Sequence, residues 1–284
     1  MNDQSDLSRS LQQPHWGEVA RHWHHYGPPL RPSAAEVRVM EGTVRRWCAV
    51  RALRPLKALL LGVTPEIATM AWPDGTELLA VDRSEPMIER VWPGDIDGLR
   101  KAVCADWFGF SSGSDRYNVV IGDGIFTILD YPGQYRALAA VARDVLASDG
   151  IFISRFFLRP ATRETPESVF DDLLANRIAT FHGFKFRLAM ALQENAQSGV
   201  RMGDVFNAWH RAGIDLDTLM AKTGWPREAI GTIRLYDGKD SRLSFPSAAE
   251  IDAVMSEHFE EIDVGYLPQE TGGRCPIVSY RRRG

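Results

Sequence analysis

Two apolar runs in this chain end on residues whose types suit them to grip an adenosine. Lys57-Ala-Leu-Leu-Leu-Gly62-Val63-Thr64-Pro-Glu66 ends on a glycine, and Leu78-Leu-Ala-Val81-Asp82 ends on a carboxylate. The two endings lie about twenty residues apart, the spacing of a parallel strand–helix–strand unit. In such a unit the glycine lets backbone approach a cofactor, and the carboxylate at the tip of the next strand reaches two ribose hydroxyls. Asp82 has a plainer alternative use, as a cap for the helix beginning near Ser84. Asp123 stands between Gly122 and Gly124. Flanking glycines let a ligand come close, so this acid either meets the cofactor or hydrogen-bonds its own loop.

The loop after Gly62 discriminates between cofactors. A nicotinamide dinucleotide asks for three glycines, for a tight turn, for approach of the pyrophosphate and for helix–strand packing. Thr64 stands in place of the second, and Glu66 puts a carboxylate near where the pyrophosphate would lie. Both changes disfavour a phosphate linker. A phosphate-free cofactor carrying an amino-acid ammonium tolerates them better.

These residues need a scaffold, and the pattern around them supplies one. Continuously apolar runs predict strands at Ala58–Val63, Glu77–Asp82, Ala102–Asp106, Tyr117–Gly122 and Gly150–Phe157, with helices at about 65–71, 85–91 and 132–147. Strands apolar on both faces, alternating with helices, imply a doubly wound parallel sheet. Before it, a helical stripe runs from Trp16 to Tyr26 and stops at Gly27-Pro28-Pro29. Ser33 and Glu36 then form a capping box for a helix with Val37, Met40, Val44 and Trp47 on its apolar face. After Pro160 the alternation gives way to helical patterns at Phe184–Gln197, Asp204–Ala212, Leu216–Thr223 and Pro226–Ile233, preceded by a helix opening at Thr165-Pro166. Ser247 and Glu250 cap a helix to His258. Two strands, Glu260–Leu267 and Pro276–Arg282, end the chain as an antiparallel pair.

At this point the chain resembles the class I S-adenosylmethionine-dependent methyltransferases, over about residues 56–158 and 245–282. Gly62 matches the first glycine of that family's loop. Val81-Asp82-Arg83-Ser84-Glu-Pro-Met87-Ile88 matches its ribose-binding strand end. Ala105-Asp106-Trp107 matches the acid that meets the adenine amino group and the ring beside it; a turn acid and a rim aromatic are the plainer alternatives. Val119-Val120-Ile121-Gly122-Asp123-Gly124 matches the fourth strand, whose end lies beside the sulfonium, and Leu146-Ala-Ser-Asp149-Gly150 the turn into the fifth. The sequence departs from the family in the glycine loop, where two glycines are missing and Leu60 replaces an acid. The resemblance implies an α/β fold: a doubly wound, mostly parallel seven-stranded sheet with an antiparallel last strand, plus N-terminal helices and a helical insertion. It divides the chain into a lid segment (1–55), a cofactor-binding core (56–160), a helical cap (161–243) and the closing helix and strand pair (244–284).

The implied activity is methyl transfer from S-adenosylmethionine to a small or medium-sized acceptor, through oxygen or nitrogen. Its displacement chemistry asks mainly for alignment, with a base only where the nucleophile needs one, and no catalytic dyad is assigned. The signature of nucleic-acid base methylation is missing after strand four. The N-terminal segment would fold over the cofactor, with Tyr26 or Arg31 near its carboxylate, or else pack outside the domain. Phe181, Phe184 and Phe186 read as the core of the insertion. His22, His24 and His25 read as exposed, without a metal. These histidines, His182 and His210 are all open as an acceptor-side base. With 284 residues, 44% hydrophobic, 25% charged and net charge -4, composition is that of an ordinary globular protein with no pull toward nucleic acid or membrane. Arg281-Arg282-Arg283 reads as a solvated basic run. The unpaired spacing of Cys48, Cys104 and Cys275 suits a cytoplasmic protein, and the first 13 or so residues read as disordered. The rival readings are an NAD(P)-dependent oxidoreductase and a non-catalytic cofactor-binding module.

Overall fold

The computed structural model of the protein describes residues 15–51, 55–111, 113, 115–267 and 272–284; the expected disorder at the extreme N-terminus lies outside them. Helical residues 15–21 (α1) lead into a 3-10 turn at Trp23–His25, and α2 follows at Ala34–Ala49. The capping box is present: Ser33 accepts from the Glu36 amide while the Glu36 carboxylate accepts from the Ser33 amide. Met40, Val44 and Trp47 bury the inner face of α2.

The core alternates β1 (Lys57–Leu61), α3 (Pro65–Ala68), β2 (Glu77–Asp82), α4 (Glu85–Val91), β3 (Arg100–Cys104), β4 (Tyr117–Asp123), α5 (Gly133–Val145) and β5 (Leu146–Arg155). Two later strands, β8 (Phe259–Gly265) and β9 (Ile277–Arg282), complete a seven-stranded sheet in the order β3-β2-β1-β4-β5-β9-β8. The pairs among β1 to β5 are parallel, and β9 runs antiparallel to both its neighbours. This is the expected doubly wound sheet. Successive strand residues point to opposite faces, so Leu59 and Leu61 enter one apolar cluster with α5, while Ala58 and Leu60 enter another with α2. Both faces are therefore covered, which is why these strands read as continuous apolar runs.

Several boundaries differ from the sequence expectation for local reasons. α3 stops at Ala68 rather than near 71, because the Thr69 hydroxyl donates to the Pro65 carbonyl and the Trp72 indole to that of Ile67. β3 ends at Cys104, and Asp106 lies beyond it, where its side chain accepts from the Phe108 amide and caps a 3-10 turn at Trp107–Gly109. β5 begins at Leu146 rather than Gly150, with an irregularity against β4 that absorbs the Asp149-Gly150 turn.

The segment between the core and the last strands holds α6 (Pro166–Leu174), α7 (Phe181–Leu192), α8 (Met202–Arg211), α9 (Leu216–Thr223) and α10 (Arg227–Gly231), followed by a 3-10 turn at Thr232–Tyr236. It is not all-helical: β6 (Val200–Arg201) pairs antiparallel with β7 (Arg242–Leu243). Two residues per strand are too few to leave a periodic signal. Phe181 and Phe184 pack edge-on against Trp209, and Phe181 also meets Trp225, giving this segment its own core. α11 (Ala248–Met255) carries the second expected capping box and ends three residues before His258. No helix among the described residues is long and apolar enough to cross a membrane.

Candidate functional site

Sheet register gathers the residues singled out by spacing. Leu61 on β1 pairs with Val81 on β2 and with Gly122 on β4. The next residue on each strand therefore stands on one carboxyl edge: Asp82, Gly62 and Asp123, in that spatial order. Chain order reverses between β1 and β4, so this edge is the topological switch point where ligands bind in open α/β sheets. A cavity of about 600 Å³ opens there, and Gly62, Val63, Thr64, Asp82, Arg83, Met87, Asp106, Trp107, Asp123 and Gly124 all line it.

The geometry gives each group a defined state. Gly62 has φ +96, a conformation side chains rarely adopt, and a Cβ built on it would come within 3.9 Å of Asp82 Oδ2. Asp82 Oδ1 accepts from the Ser84 amide at 2.8 Å, so the capping use is real, while Oδ2 faces the Gly62 turn. Burial pushes the Asp82 carboxyl up to about 6. Ser84 itself is buried with an unpartnered hydroxyl and lies behind the wall. The Trp107 indole donates to the Val81 carbonyl at 2.7 Å, which fixes the ring beside the end of β2. Gly122 lies under the edge, where a Cβ would strike Ile125, and Gly124 has φ +62 with Phe157 packed against it.

Asp123 is engaged by a residue that spacing did not reveal. Its cross-strand partner on β5 is Arg155, whose Nε donates to Oδ1 at 2.5 Å and whose Nη2 donates to Oδ2 at 3.2 Å. Arg155 is fully buried; its Nη1 donates to Glu36 Oε1 at 2.8 Å and its Nη2 also to the Pro29 carbonyl at 2.9 Å. One guanidinium thus ties β4, α2 and the N-terminal segment together beneath the cavity. A lone arginine in the apolar run Ile151–Phe157 was the only sequence signal for it. A buried cation without carboxylate partners is rarely tolerated.

Arg31 takes a different position from the one expected. It donates to Glu66 Oε1 from Nε at 2.7 Å and approaches it from Nη2 at 2.6 Å, and it lies over the Trp23 ring rather than on the cavity wall. Glu66 is consequently not a bare carboxylate, and the electrostatic part of the case against a pyrophosphate weakens; the part resting on Thr64 stands. Tyr26 does line the cavity. The N-terminal segment lies across it and is fastened on the far side by Glu18–Lys239, by His182 Nε2 with the His25 carbonyl at 2.9 Å, and by Thr180 with the Pro28 carbonyl.

Among the histidines, His182 is buried in that tie and burial pushes it down to about 3. His210 is exposed and stacks on Phe206. His22, His24 and His25 lie off the wall, and among the described residues no group of three His, Cys, Asp or Glu side chains could hold a metal. The histidine on the cavity is His15, which spacing did not pick out; burial and then Lys239 bring it down to about 4.

No protein-family model matches the chain, and no curated protein matches its sequence. Solved structures do match it in shape. The CcbJ methyltransferase from Streptomyces caelestis has a TM-score of 0.52 at 16% identity, covering 94% of this chain and 96% of that one. Magnesium protoporphyrin IX methyltransferase (ChlM) from Synechocystis PCC 6803, with bound S-adenosylhomocysteine, has a TM-score of 0.52 at 10% identity, covering 97% and 100%. A Rhodobacter sphaeroides structure named "Putative Zn-dependent Alcohol Dehydrogenases" has a TM-score of 0.58 at 13% identity, covering 96% and 99%. At such identities these likenesses establish the fold and not the reaction.

Proposed function

We propose that this chain, whose fold is that of the class I methyltransferases, binds S-adenosylmethionine and methylates a small or medium-sized acceptor at oxygen or nitrogen. The observation that carries this reading is the placement of Gly62, Asp82 and Asp123 on one carboxyl edge beside the cavity. The residues present fit the cofactor. Asp82 keeps Oδ2 facing the opening left by Gly62, the arrangement a ribose diol requires. Asp106 and Trp107 would flank the adenine. The backbone of Gly62, Val63 and Thr64 and the Asp123–Gly124 corner would meet the amino-acid end. When bound, the cofactor supplies an electrophilic methyl group.

The protein's share is alignment and exclusion of water. The Trp107 tether orients a ring against the base. The Glu36–Arg155–Asp123 network fixes the corner under the reacting end and carries one more negative than positive charge, which suits a cationic ligand. The N-terminal segment as a lid, the helical segment as a cap, and a cytoplasmic location belong to the same proposal. Calorimetry of the full chain with S-adenosylmethionine, S-adenosylhomocysteine and NAD tests it. Binding of the first two without NAD is expected. Binding of NAD alone would move the assignment to an oxidoreductase. Tight cofactor binding without turnover across an acceptor panel would leave a binding module.

A further inference from the structure

The cavity has a second wall that the cofactor reading leaves unused. It is predominantly aromatic and is assembled from separate stretches of chain: Trp16 and Trp23 with Tyr26, Phe157 after β5, Phe186 on α7, and Tyr236 before β7. Rings of this kind favour offset or edge-on contact with another π-system over contact with a saturated one.

The same wall contains polar atoms with nothing to bond. Trp23 Nε1, the Tyr26 hydroxyl and His15 Nδ1 are all buried without a hydrogen-bond partner. Tyr26 is 7% exposed and His15 4%, so water does not compensate them. Buried polar groups in native proteins are nearly always paired, and a site whose donors lack partners is one that a ligand can complete. An indole N–H can only donate, so the missing partner must offer a lone pair. Burial raises Tyr26 and lowers His15, so both face the ligand uncharged at neutral pH. The nearest buried cation, Lys185, stands behind the Tyr26 and Tyr236 rings at 5.0 and 5.1 Å and donates to Thr232, away from the wall.

We propose that this wall is the acceptor subsite and that it takes a flat aromatic molecule bearing an oxygen or ring-nitrogen lone pair, to which Trp23 and Tyr26 donate. The role of acceptor rests on the methyl-donor reading; the binding preference does not. An aliphatic amine, which arrives protonated and offers only donors, does not satisfy these groups.

Three probes separate the two parts of the claim, measured by ligand-observed NMR titration of the full chain with and without S-adenosylhomocysteine. 2-Naphthol has ring and lone pair, decahydro-2-naphthol lacks the π-system, and 2-methylnaphthalene lacks the oxygen. 2-Naphthol should bind about tenfold more tightly than its saturated counterpart and about fivefold more tightly than the methyl analogue. Trp23→Phe and Tyr26→Phe each keep an aromatic ring and remove a polar atom. They should shrink the second preference and leave the first, with unchanged melting temperature as the check on folding. Equal binding of the saturated alcohol, absence of 2-naphthol binding in both states, or a preference untouched by either variant would overturn the proposal. Binding of S-adenosylhomocysteine without these preferences would sink this inference and spare the methyl-donor reading. The preferences without S-adenosylhomocysteine binding would do the reverse.

Discussion

Asp82 and Lys185 show how far a single residue's environment departs from its type. Asp82 needs its charge to accept from two hydroxyls, yet burial pushes it up to about 6. A ligand that prefers the ionised form must expel a proton below that value, so affinity for S-adenosylhomocysteine should fall as pH drops through about 6, approaching a tenfold loss per pH unit. Calorimetry between about pH 5 and pH 8 checks this, and Asp82→Ala should cost about 1–3 kcal/mol of binding at neutral pH and flatten the profile. Lys185 is buried with Thr232 as its hydrogen-bond partner, and burial brings it down to about 7 from an ordinary 10.5. The unfolded chain holds that proton up to its ordinary value, so between about 7 and 10.5 the unfolded state binds more protons, and stability should rise with pH across that window. Lys185→Met should therefore raise the melting temperature at pH 7 and reduce the rise. A lower melting temperature would show that the ammonium is a net stabiliser. Asp82 was legible because strand-end acids have a characteristic spacing. Lys185 was not, because α7 is buried on nearly every side and no polar face marks the exception.

At the level of elements, the same acid serves a helix and a sheet. Glu36 closes the capping box of α2 with one oxygen and receives Arg155 from β5 with the other. Ser33→Ala removes only the cap and should cost about 1 kcal/mol in urea unfolding. Arg155→Met leaves two carboxylates buried without their cation and should cost about 3–5 kcal/mol; a loss no larger than that of Ser33→Ala would mean that the carboxylates find other partners or protonate without penalty. The capping box could be read from Ser33 and Glu36 because its logic is local. Its second duty could not, because Arg155 is more than a hundred residues away in the chain and joins Glu36 only when β5 lies beside β4. Likewise the strands were visible as apolar runs, whereas the ladder of Val200–Arg201 with Arg242–Leu243 exists only through pairing across the helical segment.

For the whole molecule, the cavity lies among three separately packed clusters, two on the faces of the sheet and one in the helical segment. A ligand seated there stabilises only the assembled form. S-Adenosylhomocysteine at about a hundred times its dissociation constant should add about 2.7 kcal/mol and raise the melting temperature by roughly 5–10 °C. NAD at the same concentration should leave it unchanged, and a larger shift with NAD would contradict the cofactor assignment.

By itself the sequence determined the doubly wound sheet and the edge on which Gly62 and Asp82 stand, because strand period, helix caps and strand–helix spacing are local properties of a chain. Tertiary structure alone decided what faces that edge. It gave Asp123 to Arg155 and Arg31 to Glu66, and it brought Trp23, Tyr26, Phe186 and Tyr236 onto one wall. These are contacts between residues distant in sequence, set by how the clusters pack, and no local pattern encodes which distant side chain will arrive.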